Sequence, residues 1–99
     1  VAGAYGWTTA PDADACRVCG WDLGEPGWTQ EPQYVICPCC GAEAGVDDLD
    51  ERMARAYLIR WIAGGGRWFA AAERPARWSL TSHLSRVGLS VSRAEFPRS

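Results

Sequence analysis

Cys16-Arg17-Val18-Cys19-Gly20 and Cys37-Pro38-Cys39-Cys40-Gly41 share one pattern, two cysteines three apart followed by a glycine, and 17 residues separate them. A C-x2-C-x17-C-x2-C spacing lies in the window of four-thiolate zinc sites. Two cysteines at this separation wrap a tight turn whose backbone N–H groups face the sulfurs, and the glycine supplies the left-handed residue that closes it. Two such knuckles can face each other across a tetrahedral ion with metal–sulfur bonds of about 2.3 Å. Cys16, Cys19, Cys37 and Cys40 are therefore the candidate metal ligands, with disulfides or inert thiols as the plainer reading of the same residues. Pro38 pre-sets the second turn and removes one N–H that would otherwise need a partner.

Cys39 is the fifth cysteine, and an odd number argues against complete disulfide pairing. In the middle of the second turn its side chain is expected to point away from a metal held by Cys37 and Cys40. It reads as a small buried apolar residue. A labile thiol or an exchanged ligand are the alternatives.

Outward from the knuckles, the intervening loop holds the turn Gly24-Glu-Pro-Gly27 and a β-prone run, Tyr34-Val35-Ile36. Trp21 and Trp28 are the aromatics best placed to line it. After residue 46 the pattern becomes helical. Asp47, Asp48 and Asp50 stand where carboxylates favour a helix start, and Gly64-Gly65-Gly66 is a strong stop. Over 48–63, Met53, Ala54, Tyr57, Leu58, Trp61 and Ile62 share one face, with Arg52, Arg55 and Arg60 opposite and Ile59 among them. A turn at Pro75 precedes a second short helix, capped by Ser79, with Leu80, Leu84 and Val87 inward and Gly88 as its stop. Trp61, Trp68 and Trp78 read as packing between these helices. His83 reads as a surface or packing residue.

The knuckle residues Cys16-Arg-Val-Cys19-Gly20-Trp21, the run Tyr34-Val-Ile-Cys37-Pro-Cys-Cys40-Gly41 and the acidic pair Asp47-Asp48 are similar to those of the small bacterial cysteine-rich CPCC proteins, whose metal segment is a rubredoxin-like zinc ribbon. The pattern Tyr57-x3-Trp61-x3-Gly65-x2-Trp68-Phe69, followed by Pro75-x2-Trp78-x-Leu80, extends the resemblance over about residues 16 to 87. In those proteins CPCC is often the first knuckle, and here it is the second. The resemblance implies a zinc-binding protein.

The expected fold is thus a small α+β, metal-bound domain. It comprises a flexible arm (1–15), a rubredoxin-like zinc ribbon with short β-hairpins (16–46), an amphipathic helix and a second short helix packed on the ribbon (47–88), and a tail (89–99). Ninety-nine residues hold one domain, and an apolar share of 47% with six tryptophans is a folding composition. So small a core gains from a metal staple.

Charge is unevenly placed. Residues 1–50 carry nine acids against Arg17, and residues 51–99 carry nine arginines against three glutamates, with no lysine anywhere. The simplest account is internal, with arginines meeting carboxylates where the helices dock. The functional account makes Arg52, Arg55, Ile59 and Arg60 a face for another protein, as in an adaptor or a neutralising partner. The overall charge of −2 argues against a nucleic-acid coat, and a nucleic-acid-binding ribbon is the third-ranked reading.

Four thiolates leave no open coordination position, and no nucleophile–base set or phosphate loop is present, so no enzyme is expected. One zinc ion is the expected cofactor. Iron in the same cage, making a rubredoxin-like electron carrier, is the alternative. The opening VAGAYGWTTA lacks a basic segment followed by an apolar run, and no stretch approaches a membrane span. A cytoplasmic, reducing setting follows as the expectation, and lysine-free, arginine-rich usage suggests a GC-rich bacterial source.

Overall fold

The computed structural model describes residues 14–29, 31–89 and 91. Each knuckle closes on itself in the same way. In the first, the Gly20 N–H donates to the Cys16 carbonyl at 2.8 Å and the Cys16 N–H to the Trp21 carbonyl at 2.9 Å. In the second, Gly41 donates to Cys37 and Cys37 to Ala42, both at 2.9 Å. Gly20 and Gly41 take φ of 80° and 81°, the left-handed conformation that a side chain would strain.

The hairpins expected around the knuckles are reduced to isolated antiparallel bridges. Ala15 pairs with Asp22, Ile36 with Glu43 and Trp28 with Pro32, and no longer strand forms among the described residues. The cause is local. Gly24 turns left-handed at φ 75° just past the first bridge, and Tyr34 does so at φ 58° just before the second. Of the β-prone run 34–36, therefore, only Ile36 bridges. The resulting architecture is α+β-like, with little sheet.

Helix α1 spans Glu51–Ala63. Asp50 is its N-cap, accepting the Met53 N–H at 2.7 Å, so the helix starts three residues later than the acidic run suggests. Its end is a Schellman motif: Gly66 donates to the Trp61 carbonyl and Gly65, at φ 98°, to that of Ile62. The inward stripe is narrower than the pattern predicts. Ala54, Leu58 and Trp61 are buried, Tyr57 and Ile62 pack partly against the core, and Met53 is 39% exposed. Met53 lies in the first turn, one residue off the Ala54–Leu58–Trp61 line, and so faces outward.

After the glycines the chain returns along the second knuckle. Phe69 and Ala70 donate backbone N–H groups to the carbonyls of Cys39 and Pro38 at 3.1 and 2.9 Å. A 3-10 turn, Ala71–Glu73, leads to Pro75 and then to α2, Leu80–Val87. Ser79 caps α2 by accepting the Ser82 N–H, and Gly88, at φ 78°, ends it. Leu89 then donates to the Leu84 carbonyl and is buried, and Val91 packs on the same core. The folded part thus runs past residue 88, where the tail was expected to begin. At the other end, the Asp14 carbonyl accepts the Leu23 N–H, so the first knuckle already includes residues assigned to the arm. The rest of both expected terminal segments lies outside the described residues.

The core joins cysteines to tryptophans. Trp68 meets Trp21 edge to face at 4.8 Å and Trp78 at 5.5 Å, while Trp61 donates its indole N–H to the Arg67 carbonyl across the triple-glycine turn. Trp61, Trp68 and Trp78 therefore pack as the sequence suggests. Two glycines separate backbone strain from crowding. At Gly45 (φ 90°) a Cβ would lie 2.5 Å from Pro32, whereas at Gly24 (φ 75°) it meets nothing within 4 Å. Gly24→Ala should cost about 1 kcal/mol of left-handed strain and Gly45→Ala roughly 2–4 kcal/mol, as read by denaturant unfolding. Equal losses at the two sites would contradict this packing.

Candidate metal centre

The two knuckles bring Cys16, Cys19, Cys37 and Cys40 together, with all four sulfurs within 4.8 Å of one another. All four residues are buried, and none is disulfide-bonded. The Cys16–Cys40 and Cys19–Cys37 sulfurs are each 3.7 Å apart. That is the edge expected of a tetrahedron with metal–sulfur bonds of about 2.3 Å, close to 3.8 Å. A buried cluster of this size and donor chemistry can hold a metal ion.

Its electrostatics point the same way. Burial pushes the Cys19 and Cys40 thiols well up, while hydrogen bonds from Cys16, Cys19 and Cys40 hold Cys37 far below the usual thiol range. Cys19 and Cys40 thus favour their protonated forms, and an ion binding there would displace those protons. Some help comes from the backbone, since the Val18 N–H points at the Cys16 sulfur at 3.4 Å.

Three groups of side chains cover the cluster. On the α1 side, the Tyr57 hydroxyl donates to the Cys40 carbonyl at 2.9 Å, and burial pushes its pKa up to about 12. On the loop side, Trp28 donates its indole N–H to Asp48 at 3.0 Å, and the Arg17 guanidinium stacks over the same ring at 4.1 Å. On the α2 side, the His83 Nε2–H donates to the Cys19 carbonyl at 2.8 Å, and its Nδ1 accepts from the Trp78 indole.

Two sequence expectations around the cluster are corrected. Asp47 and Asp48 do not begin the helix. Asp47 accepts the Glu43 N–H, and Asp48, 3% exposed, takes the Gly45 N–H on one oxygen and Trp28 on the other. Burial pushes the Asp48 pKa up, against the pull of those two donors. Aspartates at a helix start and aspartates closing a turn look alike in sequence, and only Asp50 has its backbone in position to cap. The second correction concerns Trp21. It was placed on the 21–34 loop, and the structure turns it toward Trp68 and His83 instead.

His83, expected as a surface or packing residue, is a packing one, and the sequence does not show what it packs against. It is 1% exposed and joins positions 64 apart in the chain. Its Ser79-capped helix was visible in the sequence, but its partner is a backbone carbonyl, which leaves no signature. Cys39 is fully buried, and its sulfur lies within 4.8 Å of both the Cys19 sulfur and a ring nitrogen of His83. Because both His83 nitrogens are already engaged, Cys19, Cys39 and His83 do not make a second ligand set. Of the candidate partner face, Arg52 and Arg60 are exposed, while Arg55 and Ile59 are half-buried.

Compared with known protein families, with curated proteins and with solved structures, the chain gives no match. Among the described residues, no helix is long and apolar enough to cross a membrane.

Two predictions follow from the geometry around the cluster. Cys16→Ser and Cys40→Ser should each abolish stoichiometric metal and unfold the domain, whereas Cys39→Ser should keep its metal, as measured by elemental mass spectrometry beside circular dichroism. Equal metal loss in all three would refute the ligand assignment. Asp48→Asn preserves shape but leaves one acceptor for two donors, so it should lose about 1–3 kcal/mol in thermal or denaturant unfolding. A neutral result would mean that water replaces one of the two bonds.

Proposed function

We propose that Cys16, Cys19, Cys37 and Cys40 bind one zinc ion, and that the protein is a non-enzymatic zinc-ribbon scaffold that presents a surface to another protein. The observation that carries this reading is the pair of 3.7 Å sulfur separations inside a buried group of four thiols. Four soft donors in a tetrahedral set suit zinc and fill its coordination, which favours a structural over a catalytic role. The ion would fix both knuckles, and with them the backbone carbonyls of Cys19 and Cys40 on which His83 and Tyr57 rest. Helices α1 and α2 then hang from the metal through those two bonds and the tryptophan core.

The same four sulfurs would accept iron, so an electron carrier is the competing reading. Burial favours the scaffold. Cys19 and Cys37 are at most 1% exposed, and α1, α2 and the Trp28 loop close over the cluster, lengthening any path for an electron to a partner. The reading of a small cytoplasmic bacterial protein, akin to the CPCC proteins, belongs to this proposal and rests on the knuckle sequences. A docking face would lie on the outer side of α1, where exposed Arg52 and Arg60 flank half-buried Arg55 and Ile59.

Metal analysis of untagged protein from metal-balanced medium, with an absorption spectrum, tests the reading. One zinc per chain, a colourless sample and loss of helical signal on adding a strong chelator are the expected results. One iron per chain with visible thiolate charge-transfer bands would replace the scaffold with an electron carrier.

A further inference from the structure

On the flank of the first knuckle, facing α2, lies a cleft of about 520 Å³ that the metal does not need. Trp21 enters its wall from the knuckle and Trp78 from the turn before α2. Both rings are packed on other side chains: each stands nearly perpendicular to Trp68, at 83° and 89°, and Trp21 also stacks on His83 while the Trp78 indole N–H donates to it. His83 forms part of the wall, and both its nitrogens are used within the fold.

Two guanidiniums border the same space, Arg77 from the turn and Arg86 from the last turn of α2. Both residues are exposed, and neither has a hydrogen-bond or ion-pair partner among the described residues. Arg74 differs, since it is spent on the Trp78 carbonyl and ring. The acid at the cleft is Asp22, which already accepts the Gly24 N–H on one oxygen at 2.9 Å. The cleft therefore combines fixed indole walls with a net positive rim.

That combination selects for a particular chemistry. The volume lies in the range of small-molecule sites. Indole walls favour a flat ring, and a free guanidinium fork favours a carboxylate or a phosphate. We propose that this cleft binds a small aromatic anion, with its ring against Trp21 and Trp78 and its carboxylate or phosphate on Arg77 and Arg86. The site is independent of any protein-docking face on α1.

Calorimetric titration and ligand-observed NMR on the full 99-residue chain at low salt test it, with indole-3-acetate and adenosine monophosphate as probes and indole and adenosine as neutral counterparts. Saturable one-to-one binding of either anion, at least about tenfold tighter than its neutral counterpart, is the expected result. Preference for adenosine monophosphate would identify phosphate as the anionic group, and preference for indole-3-acetate a carboxylate. In Arg77→Gln/Arg86→Gln, affinity should fall at least tenfold, while Arg67→Gln, at an exposed position away from the cleft lining, leaves it unchanged. Equal affinity for the neutral compounds, unchanged affinity in the double variant, or no saturable binding of either anion would overturn the proposal. The comparison of anion with neutral ring on the unaltered chain decides the matter even if the double variant folds poorly.

Discussion

Convergence of four sulfurs is the constraint on which the rest of this structure leans. With only isolated bridges in place of strands, the segments around 16–20 and 37–41 have no ladder of backbone bonds to hold them side by side. Each knuckle is well made internally, but a pair of knuckles separated by a glycine- and proline-bearing loop does not assemble from backbone bonding alone. The thiols lie within 4.8 Å of one another in a buried space, and an ion held there would tie the two knuckles together. Around that point the chain builds outward in three directions: α1 through Tyr57, the loop through Trp28 and Asp48, and α2 through His83.

The cover is made of polar hooks set in an apolar core. Tyr57, Asp48 and His83 each bond a backbone group, and two of the three bond a carbonyl of a cysteine in the cluster. Such hooks are directional where the tryptophan packing is not. Trp21, Trp61, Trp68 and Trp78 supply buried area, and the hooks choose the register in which that area is used. Buried hydrogen bonds of this kind add little net stability when satisfied and cost much when broken, so they act chiefly as specifiers of one arrangement.

What was legible in the sequence is what short spacing encodes. The two knuckles, the glycine stops after α1 and α2, the Ser79 cap and the packing of three tryptophans all follow from residues a few positions apart. What escaped was set by distant contacts or by degenerate local signals. Asp47, Asp48 and Asp50 carry the same side chain at nearly the same place, yet only one meets a helix. Tyr34 has a strand former's side chain and a left-handed backbone, and its ring packs where only a glycine fits at position 45. Met53 fits a broad helical stripe, but it lies one residue off the Ala54–Leu58–Trp61 line that is buried and so stays exposed. His83 looked ordinary because its meaning depends on a carbonyl 64 residues earlier.

The bond from His83 to the Cys19 carbonyl also bears on how the chain comes into being. Synthesis runs from the N- to the C-terminus, so all four cysteines are made before α2. Knuckles able to hold an ion could therefore close before α2 is complete, with Trp21 packing on Trp68 and His83 only once the chain beyond them has folded. Helix α2 follows the knuckles, and its buried bond is made to the first of them. If an ion sets that knuckle, a molecule lacking it would leave α2 without its docking carbonyl in place and would expose tryptophan surface, the kind of apolar signal that chaperones and proteases recognise.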